Sequence, residues 1–418
     1  MEKITVNVSI KETSATVRTL EVSIPQESLK PAFNKKVTEY RKEVQMKGFR
    51  PGMVPRNMIL QRFGEAIRSE AIDETINSLV RDELAKANIV PVAKGKMEDF
   101  KDDKTNPITF RIVIEVDPPI TIEGYKATGI TVPQVMVGEA EVLDELTNLR
   151  SAYADHKAVE RAAAKGDQVE GTYTEVLIDG EEKPLPENPE FRCVIGESST
   201  PGFDDGLVGV NNGEEKTILF SYPAEHKDPQ YAGKSAKFSV KITQVQEVIL
   251  PEMDDEFAKK LGYDTLQALK DRILDNLVAQ RTARAKAKAQ EEAIDFLISK
   301  NPFPVAEARI KHWVTHQLHR NEPQNEENEY EDPNPEQLQA MGPQAEREIR
   351  KFRILDYIIK TEALKPTQAE VDSQIQGLAQ QYGMDFDTLK ASLRQSGRIS
   401  EIREDLKFHK AMDLIVGA

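Results

Sequence analysis

The chain has 418 residues, 39% hydrophobic and 30% charged, with a net charge of −15 at pH 7. At ~150 residues per domain the length fits about three domains, and the acidic total argues against general nucleic-acid binding. A single cysteine, Cys193, excludes an intrachain disulfide and points to a reducing, cytoplasmic compartment. No segment approaches the ~18 consecutive apolar residues of a membrane span, and the first residues alternate apolar and polar instead of forming a secretory signal's apolar run.

The charge is unevenly spread. Residues 1–115 carry 20 Lys+Arg against 17 Asp+Glu, a net +3, which leaves −18 on the remainder. Within residues 30–68 the ratio is 10 basic to 3 acidic. A local basic patch on an acidic chain suits one specific polyanionic partner while repelling others.

In chain order, residues 4–24 alternate as strands, and residues 26–46 place Leu29, Phe33, Val37, Tyr40 and Val44 at helical spacing. A loop follows, then two helical stretches at 56–63 and 65–86, and a strand at 109–116 with Phe110, Ile112 and Ile114 on one face. Pro118-Pro119 closes this α+β module, residues 120–135 read as an extended connector, and residues 138–163 read as a polar helix. Residues 168–178, 216–222 and 236–248 are β-rich runs separated by Gly, Pro and Asn clusters, the pattern of a small antiparallel domain. Beyond Pro251 the chain reads as helical: Phe257, Leu261, Leu266, Leu269, Ile273 and Leu277 form a stripe, residues 279–293 are alanine-rich, and a second block starts near Gln344. Between them, residues 321–337 hold seven acids, no bases and three prolines, a solvated loop by composition.

The loop Gly48-Phe49-Arg50-Pro51-Gly52-Met53-Val54-Pro55 presents an aromatic and a cation between chain reversals. Proline fixes φ and glycine permits positive φ, so Pro51-Gly52 predicts a tight turn that exposes its neighbours, a geometry suited to a partner surface. With the following Arg56-Asn57-Met58-Ile59 and Gln61-Arg62-Phe63-Gly64, it resembles the ribosome-binding signature of the trigger factor family of bacterial nascent-chain chaperones. Pro201-Gly202-Phe203-Asp204-Asp205-Gly206-Leu207 and Gly213-Glu214-Glu215 resemble the FKBP-type prolyl isomerase domain of that family, and Leu250-Pro251-Glu252 with Asp255-Glu256-Phe257 its junction to the helical region.

The resemblance covers essentially the whole chain. It implies a multidomain α+β protein with an N-terminal α+β ribosome-binding domain at 1–117, a linker and connecting helix at 118–163, a small antiparallel β FKBP-like domain at 164–248 and a mainly α-helical C-terminal domain with arms at 249–418. The implied function is a ribosome-associated chaperone that binds nascent and unfolded polypeptides, touching a tunnel-exit protein and rRNA through Gly48, Phe49, Arg50, Pro51 and Gly52. Neither a membrane partner nor a cofactor or metal is implied, and open apolar arms leave room for a homodimer when the protein is free.

Two departures from the family pattern bear on function. The family usually carries basic residues where this chain has Pro51 and Met53, with Lys42, Lys47 and Arg56 available to compensate. FKBP-type catalysis needs an aromatic-lined apolar pocket and no nucleophile. Tyr173, Phe191, Phe203 and Phe238 stand at aromatic positions, either as pocket or as ordinary core, and the resemblance assigns the prolyl pocket to Tyr173, Phe203, His226 and Phe238. Lys183 replaces an aromatic, Ser199-Thr200 replace two bulky apolar residues, and His226 replaces a tyrosine. Losing two such apolar groups removes roughly 1.5–3 kcal/mol of burial each, so the fold is expected to persist with weak or absent catalysis; an active isomerase is the alternative.

Elsewhere, His312, His316 and His319 share a helical face, a spacing that zinc can use but without a matching carboxylate, and Trp313 beside them suits either a client cradle or a core. Residues 202–209 lack the Gly-Lys-Ser/Thr of a phosphate loop. Met341, Phe352, Tyr357, Ile358 and Met384 are candidates to line the cradle or to fill the inter-helix core.

Overall fold

A computed structural model describes residues 7–47, 49–50, 52–185, 187–197, 201–223, 225, 228, 231–320 and 330–417. Of the residues singled out above, Gly48, Pro51, Ser199, Thr200 and His226 lie outside the described residues, as does most of the acidic stretch, residues 321–329. The chain divides into two compact units, Met1–Val132 with Lys286–Ala418, and Pro133–Ala285.

The first unit begins with strands β1 (Asn7–Ser14) and β2 (Val17–Ile24), then helices α1 (Lys30–Glu43) and α2 (Arg56–Lys86), and strands β3 (Lys96–Lys101) and β4 (Ile108–Glu115). The antiparallel sheet runs β1-β2-β4-β3. Leu20 pairs with Ile112, Val22 with Phe110 and Ile24 with Ile108, so the period-two alternation puts every one of these side chains on the face that packs against Ile72, Ile76 and Leu84 of α2. The sequence divides α2 at Gly64, yet the helix is continuous. A helical glycine costs ~1 kcal/mol relative to alanine, which is small beside the burial of Ile59 and Ile67 on either side of it. Edge strand β3 has an exposed, mostly polar sequence with no apolar alternation to betray it. Val44, on the predicted stripe of α1, is extended at the helix end and packs beside the loop.

In the second unit α3 (Glu139–Ala152) is shorter than the helix expected at 138–163. Asp155–Ala158 forms strand β5 instead, paired with the C-terminal end of the long strand β10 (Ser235–Ile249). The helix reading fails there because an available strand edge outweighs the weak helical preference of a polar tetrapeptide. β6 (Gln168–Ile178) also pairs with β10 and carries β7 (Glu181–Glu182) and β8 (Glu190–Val194), while β9 (Glu215–Ser221) lies on the other side of β10, with the short α4 (Pro201–Leu207) packed against β9. Val169, Ile195, Phe203, Leu207, Val210, Ile218, Val240, Ile242 and Val245 form the core. A satellite core joins α3 to α5 (Asp255–Lys260) and the first half of α6 (Leu266–Lys300): Val142 and Leu146 meet Phe257, Leu269 and Ile273, flanked by Leu261, Leu266 and Leu277. All six members of the predicted stripe are in it.

The helical part of the first unit comprises the second half of α6, α7 (Glu307–Leu318), α8 (Pro335–Thr361), α9 (Gln368–Tyr382), α10 (Phe386–Gln395) and α11 (Ile399–Ile415). α8 starts nine residues before the Gln344 read from sequence, inside the stretch read as solvated loop. Asn334 caps it by accepting the Gln337 N–H at 2.9 Å, and Pro335 occupies the first helical turn, where its missing N–H costs nothing. Ala293, Ile294, Leu297, Ile354, Leu355, Ile358, Ala411 and Ile415 form the core, and Ile122 from the connector is buried among them.

Gly171 on β6 is closed in by backbone as well as by a ring. A Cβ there would stand 2.7 Å from both the Lys241 carbonyl oxygen and the Phe191 ring. Gly171→Ala should destabilise this unit by about 1–3 kcal/mol, the usual cost of overpacking. Hydrogen–deuterium exchange should accelerate in β6, β8 and β10 and stay unchanged in α8 and α11.

Candidate docking loop and prolyl pocket

The loop between α1 and α2 is held from below. Arg41, in the last turn of α1, accepts the Gly52 N–H on its carbonyl at 2.8 Å and donates its guanidinium Nε to the Val54 carbonyl at 3.0 Å. Val54 is fully buried with Val37, Ile59 and Ile67, in a cluster that Phe33, Tyr40, Met46, Met58 and Phe63 complete. Between these fixed points the Met53 N–H closes a turn on the Arg50 carbonyl at 2.9 Å, with Gly52 at φ +84° in its third position. That positive φ is what a type II turn requires there and what only glycine supplies without strain. The Phe49 N–H bonds the Met46 carbonyl at 3.0 Å.

Phe49, Arg50 and Met53 are all exposed, as are Lys42 and Lys47 before the turn and Arg62 in α2. Arg56, expected to compensate for missing loop charge, donates to the Asn34 side chain at 2.6 Å across the α1–α2 pair. Sequence reasoning missed Arg41 and Val54, which hold the loop without facing outward. Apolar Val54 between exposed neighbours was the available signal for an anchor; nothing in the sequence marks Arg41 off from other basic residues.

In the sheet unit, Tyr173, Phe203 and Phe238 converge and His226 lies outside the described residues. The Phe203 ring, buried at the base of α4, lies 5.5 Å from Phe191, 5.7 Å from Phe238, 5.9 Å from Tyr173 and 6.2 Å from Phe220. Tyr173 stands 4.9 Å from Phe191 with the rings tilted and 5.5 Å from Phe238 edge to face, an arrangement ring quadrupoles favour. The nest extends through Phe220 to Tyr222 at 5.1 Å and on to Tyr231 at 5.4 Å. These three rings were not predicted, although Phe220 in β9 and Tyr222 just beyond its end are two residues apart, the spacing that puts neighbours on one face of an extended chain.

Burial pushes the Tyr173 hydroxyl up to about 12, so it stays a hydrogen-bond donor at neutral pH. It also raises the nearby Cys193 thiol to about 12, with the Asp204 carboxylate adding to the effect. Asp204 is itself buried and accepts the Gly196 N–H at 2.8 Å, tying α4 to the β8 end. Lys183, at a position usual for an aromatic, is exposed and pairs with Glu181 at 2.9 Å.

Comparison with known proteins agrees with this geometry. Residues 6–149 match the family described as bacterial trigger factor protein, residues 265–417 its C-terminus, and residues 159–243 the FKBP-type peptidyl-prolyl cis-trans isomerase family. A trigger factor from Caldicellulosiruptor bescii is 30% identical over 418 residues, covering 95% of this chain and 93% of that protein. The chain belongs to the trigger factor family. Relatives from Koribacter versatilis and Pseudomonas putida are 28% and 27% identical, covering 96% and 98% of this chain and 94% of each relative. A solved trigger factor chaperone structure, reported for promiscuous substrate recognition in folding and assembly, aligns with a TM-score of 0.52 at 20% identity over 98% of this chain and 99% of that one. The architecture is accordingly the trigger factor fold, with an α+β N-terminal part, a small antiparallel sheet domain and a helical C-terminal part.

In trigger factor family terms the helices α7 and α8 belong to the C-terminal region. A cleft of about 770 Å³ there is lined by His312, Trp313, His316, Ile349 and Phe352, with Arg309 and Arg353 both paired to Asp117 at 2.7 and 2.9 Å. Trp313 is half-buried, Phe352 is 54% exposed and stacks at 5.3 Å on Phe408, and Met384 is exposed. Met341 is half-buried, and Tyr357 is half-buried against the core with its ring edge-on to Tyr125. Ile358 is fully buried in the helical core; its helical register turns it away from solvent, so of its two readings only the core one holds. His312 and His316 are exposed, while His319 stacks on Tyr330 at 4.2 Å. No group of three or more His, Cys, Asp or Glu among the described residues is placed to hold a metal.

The raised Cys193 thiol yields a direct test of the nest. Moving from an ordinary 9.0 to about 12 leaves roughly a thousandth of the thiolate. Iodoacetamide should therefore alkylate Cys193 at least ~100-fold more slowly in the folded protein than in urea, since the thiolate is the reactive form.

Proposed function

We propose that this trigger factor family member is a cytoplasmic, ribosome-associated chaperone that meets nascent polypeptides at the tunnel exit. In this reading residues 1–117 dock on the ribosome, 118–163 connect, 164–248 form the isomerase-type domain, and 249–418 hold clients. The observation that carries it is the α1–α2 turn: a rigid base at Arg41 and Val54 carries an exposed aromatic and an exposed cation outward. Preorganisation of that kind lowers the ordering cost of binding. Phe49 fills an apolar depression, Arg50 makes charge-assisted bonds, and the surrounding lysines and arginines meet rRNA phosphates. No described helix is long and apolar enough to cross a membrane, in keeping with this site of action.

Clients are held weakly by scattered exposed groups such as Phe352, Tyr382 and Met384, between acidic surfaces that keep the arms soluble. The same groups support self-association of the free protein into a homodimer. Cosedimentation tests docking: wild type should pellet with ribosomes at low salt and less at high salt, whereas Phe49→Ala/Arg50→Ala should remain in the supernatant at both. Equal pelleting of the two proteins would overturn the assignment.

For the isomerase-type domain the proposal is a retained fold with weak catalysis. Hydroxylated Ser199 and Thr200, charged Lys183 and His226 replace groups that would grip a prolyl ring. The intact nest of Tyr173, Phe191, Phe203 and Phe238 favours the alternative, an active isomerase. A refolding assay limited by prolyl isomerisation separates them. The expected result is a slow phase little changed by added protein; acceleration of the size usual for FKBP-type enzymes would establish the alternative.

A further inference from the structure

Three methionines lie in or beside the docking loop, and they differ in what they touch. Met46 and Met58 pack into the cluster around Val54, whereas Met53 is 71% exposed and outside it. Its neighbour Val54 is fully buried, so the backbone at Met53 is fixed while its side chain contributes nothing to the fold. Met53 also closes the turn that presents Phe49 and Arg50, through its own N–H. The loop therefore exposes two apolar side chains, Phe49 and Met53, and the cation Arg50, with exposed Lys42 and Lys47 close by in the chain.

We infer that Met53 is a second apolar anchor of the docking turn, seated with Phe49 in an apolar depression of a protein surface that is itself rimmed by negative charge. The inference rests on the ribosome-docking reading and adds a specific residue and a chemistry to it. The nearby cations supply the charge complementarity, and the thioether suits an irregular apolar contact because it is unbranched and polarisable. An rRNA partner at this point would call for a cation, since phosphate contacts are made by charge and release counterions. Methionine releases none. Its share of the affinity is independent of salt, and the salt-sensitive share belongs to Arg50 and its basic neighbours.

The test measures ribosome affinity by titration of fluorescently labelled full-length protein at about 50 and about 200 mM salt, the range over which ionic contacts separate from apolar ones. Met53→Ala should weaken binding about tenfold by the same factor at both salts, and Met53→Leu should restore it to near wild type. Arg50→Ala should instead flatten the dependence of log Kd on log salt by about one. Unchanged circular dichroism melting of Met53→Ala, expected for so exposed a side chain, keeps folding out of the comparison. Wild-type binding with Met53→Ala unaffected overturns this inference alone. A Met53→Ala effect that varies with salt overturns it in favour of an RNA contact, and absence of wild-type binding at either salt overturns the docking reading and this inference together.

Discussion

The architecture depends on burying one extended segment. The connector after β4 has no regular secondary structure, yet Ile122 is buried among α6, α8 and α11, with Ile120, Tyr125, Ile130 and Val132 packed around it. Backbone groups that a helix or sheet would satisfy internally find side chains instead. The Glu123 N–H donates to the Asn301 side chain at 2.8 Å and the Glu123 carbonyl accepts from it at 3.2 Å, while the Pro118 carbonyl accepts from Arg353 at 2.8 Å. An extended chain can enter a helical core only on such terms, because an unpaired buried amide costs ~1–3 kcal/mol. The consequence is topological. With the connector fixed in the C-terminal helices, residues 133–285 are an insertion between two segments of one compact unit.

The same logic of fixed ends governs the docking loop. Arg41 uses its carbonyl on Gly52 and its guanidinium on Val54, and the loop's own Met53–Arg50 turn bond and buried Val54 complete the support. Residues that face outward answer only to the partner, while those that set the geometry are one helical turn away or buried beneath. Met53 closes the turn through its backbone N–H, so the presentation of Phe49 and Arg50 does not depend on its side chain.

Much of this was legible in the sequence because apolar periodicity and turn chemistry are local. The stripe from Phe257 to Leu277 and the alternation of β4 read correctly, and Pro-Gly marked the loop. What was not legible depended on partners distant in the chain. β5 exists because β10 extends far enough to pair with it, and four polar residues carry no sign of that. β3 is an edge strand with exposed side chains, so no alternation was there to find. Gly64 looked like a break because its helical cost is local, whereas the burial that overrides it is tertiary. In the aromatic nest, the sequence picked out rings at family positions, and the fold added Phe220, Tyr222 and Tyr231 through strand geometry. Ile358 and Phe352 sit six positions apart on one helix with opposite exposure, which composition alone could not rank.

Charge serves a different end from stability here. The ion pairs are mostly exposed at one or both partners, as in Lys11–Glu21 and Lys360–Asp356, and pairs of that kind contribute ~0–1 kcal/mol. Their net imbalance matters more than their number. The N-terminal 115 residues carry +3 and the rest −18, so a polyanionic surface attracts the docking end and repels the remainder of the chain. A local excess of one sign favours encounter of the basic segment with a polyanion. It also limits residence, because salt screens the attraction over about 8 Å at physiological ionic strength. A protein that must find a ribosome quickly and release both ribosome and client is served by long-range steering with few strong contacts. Under the proposed docking, the exposed apolar side chains of Phe49 and Met53 would supply the short-range part of the affinity that salt does not weaken.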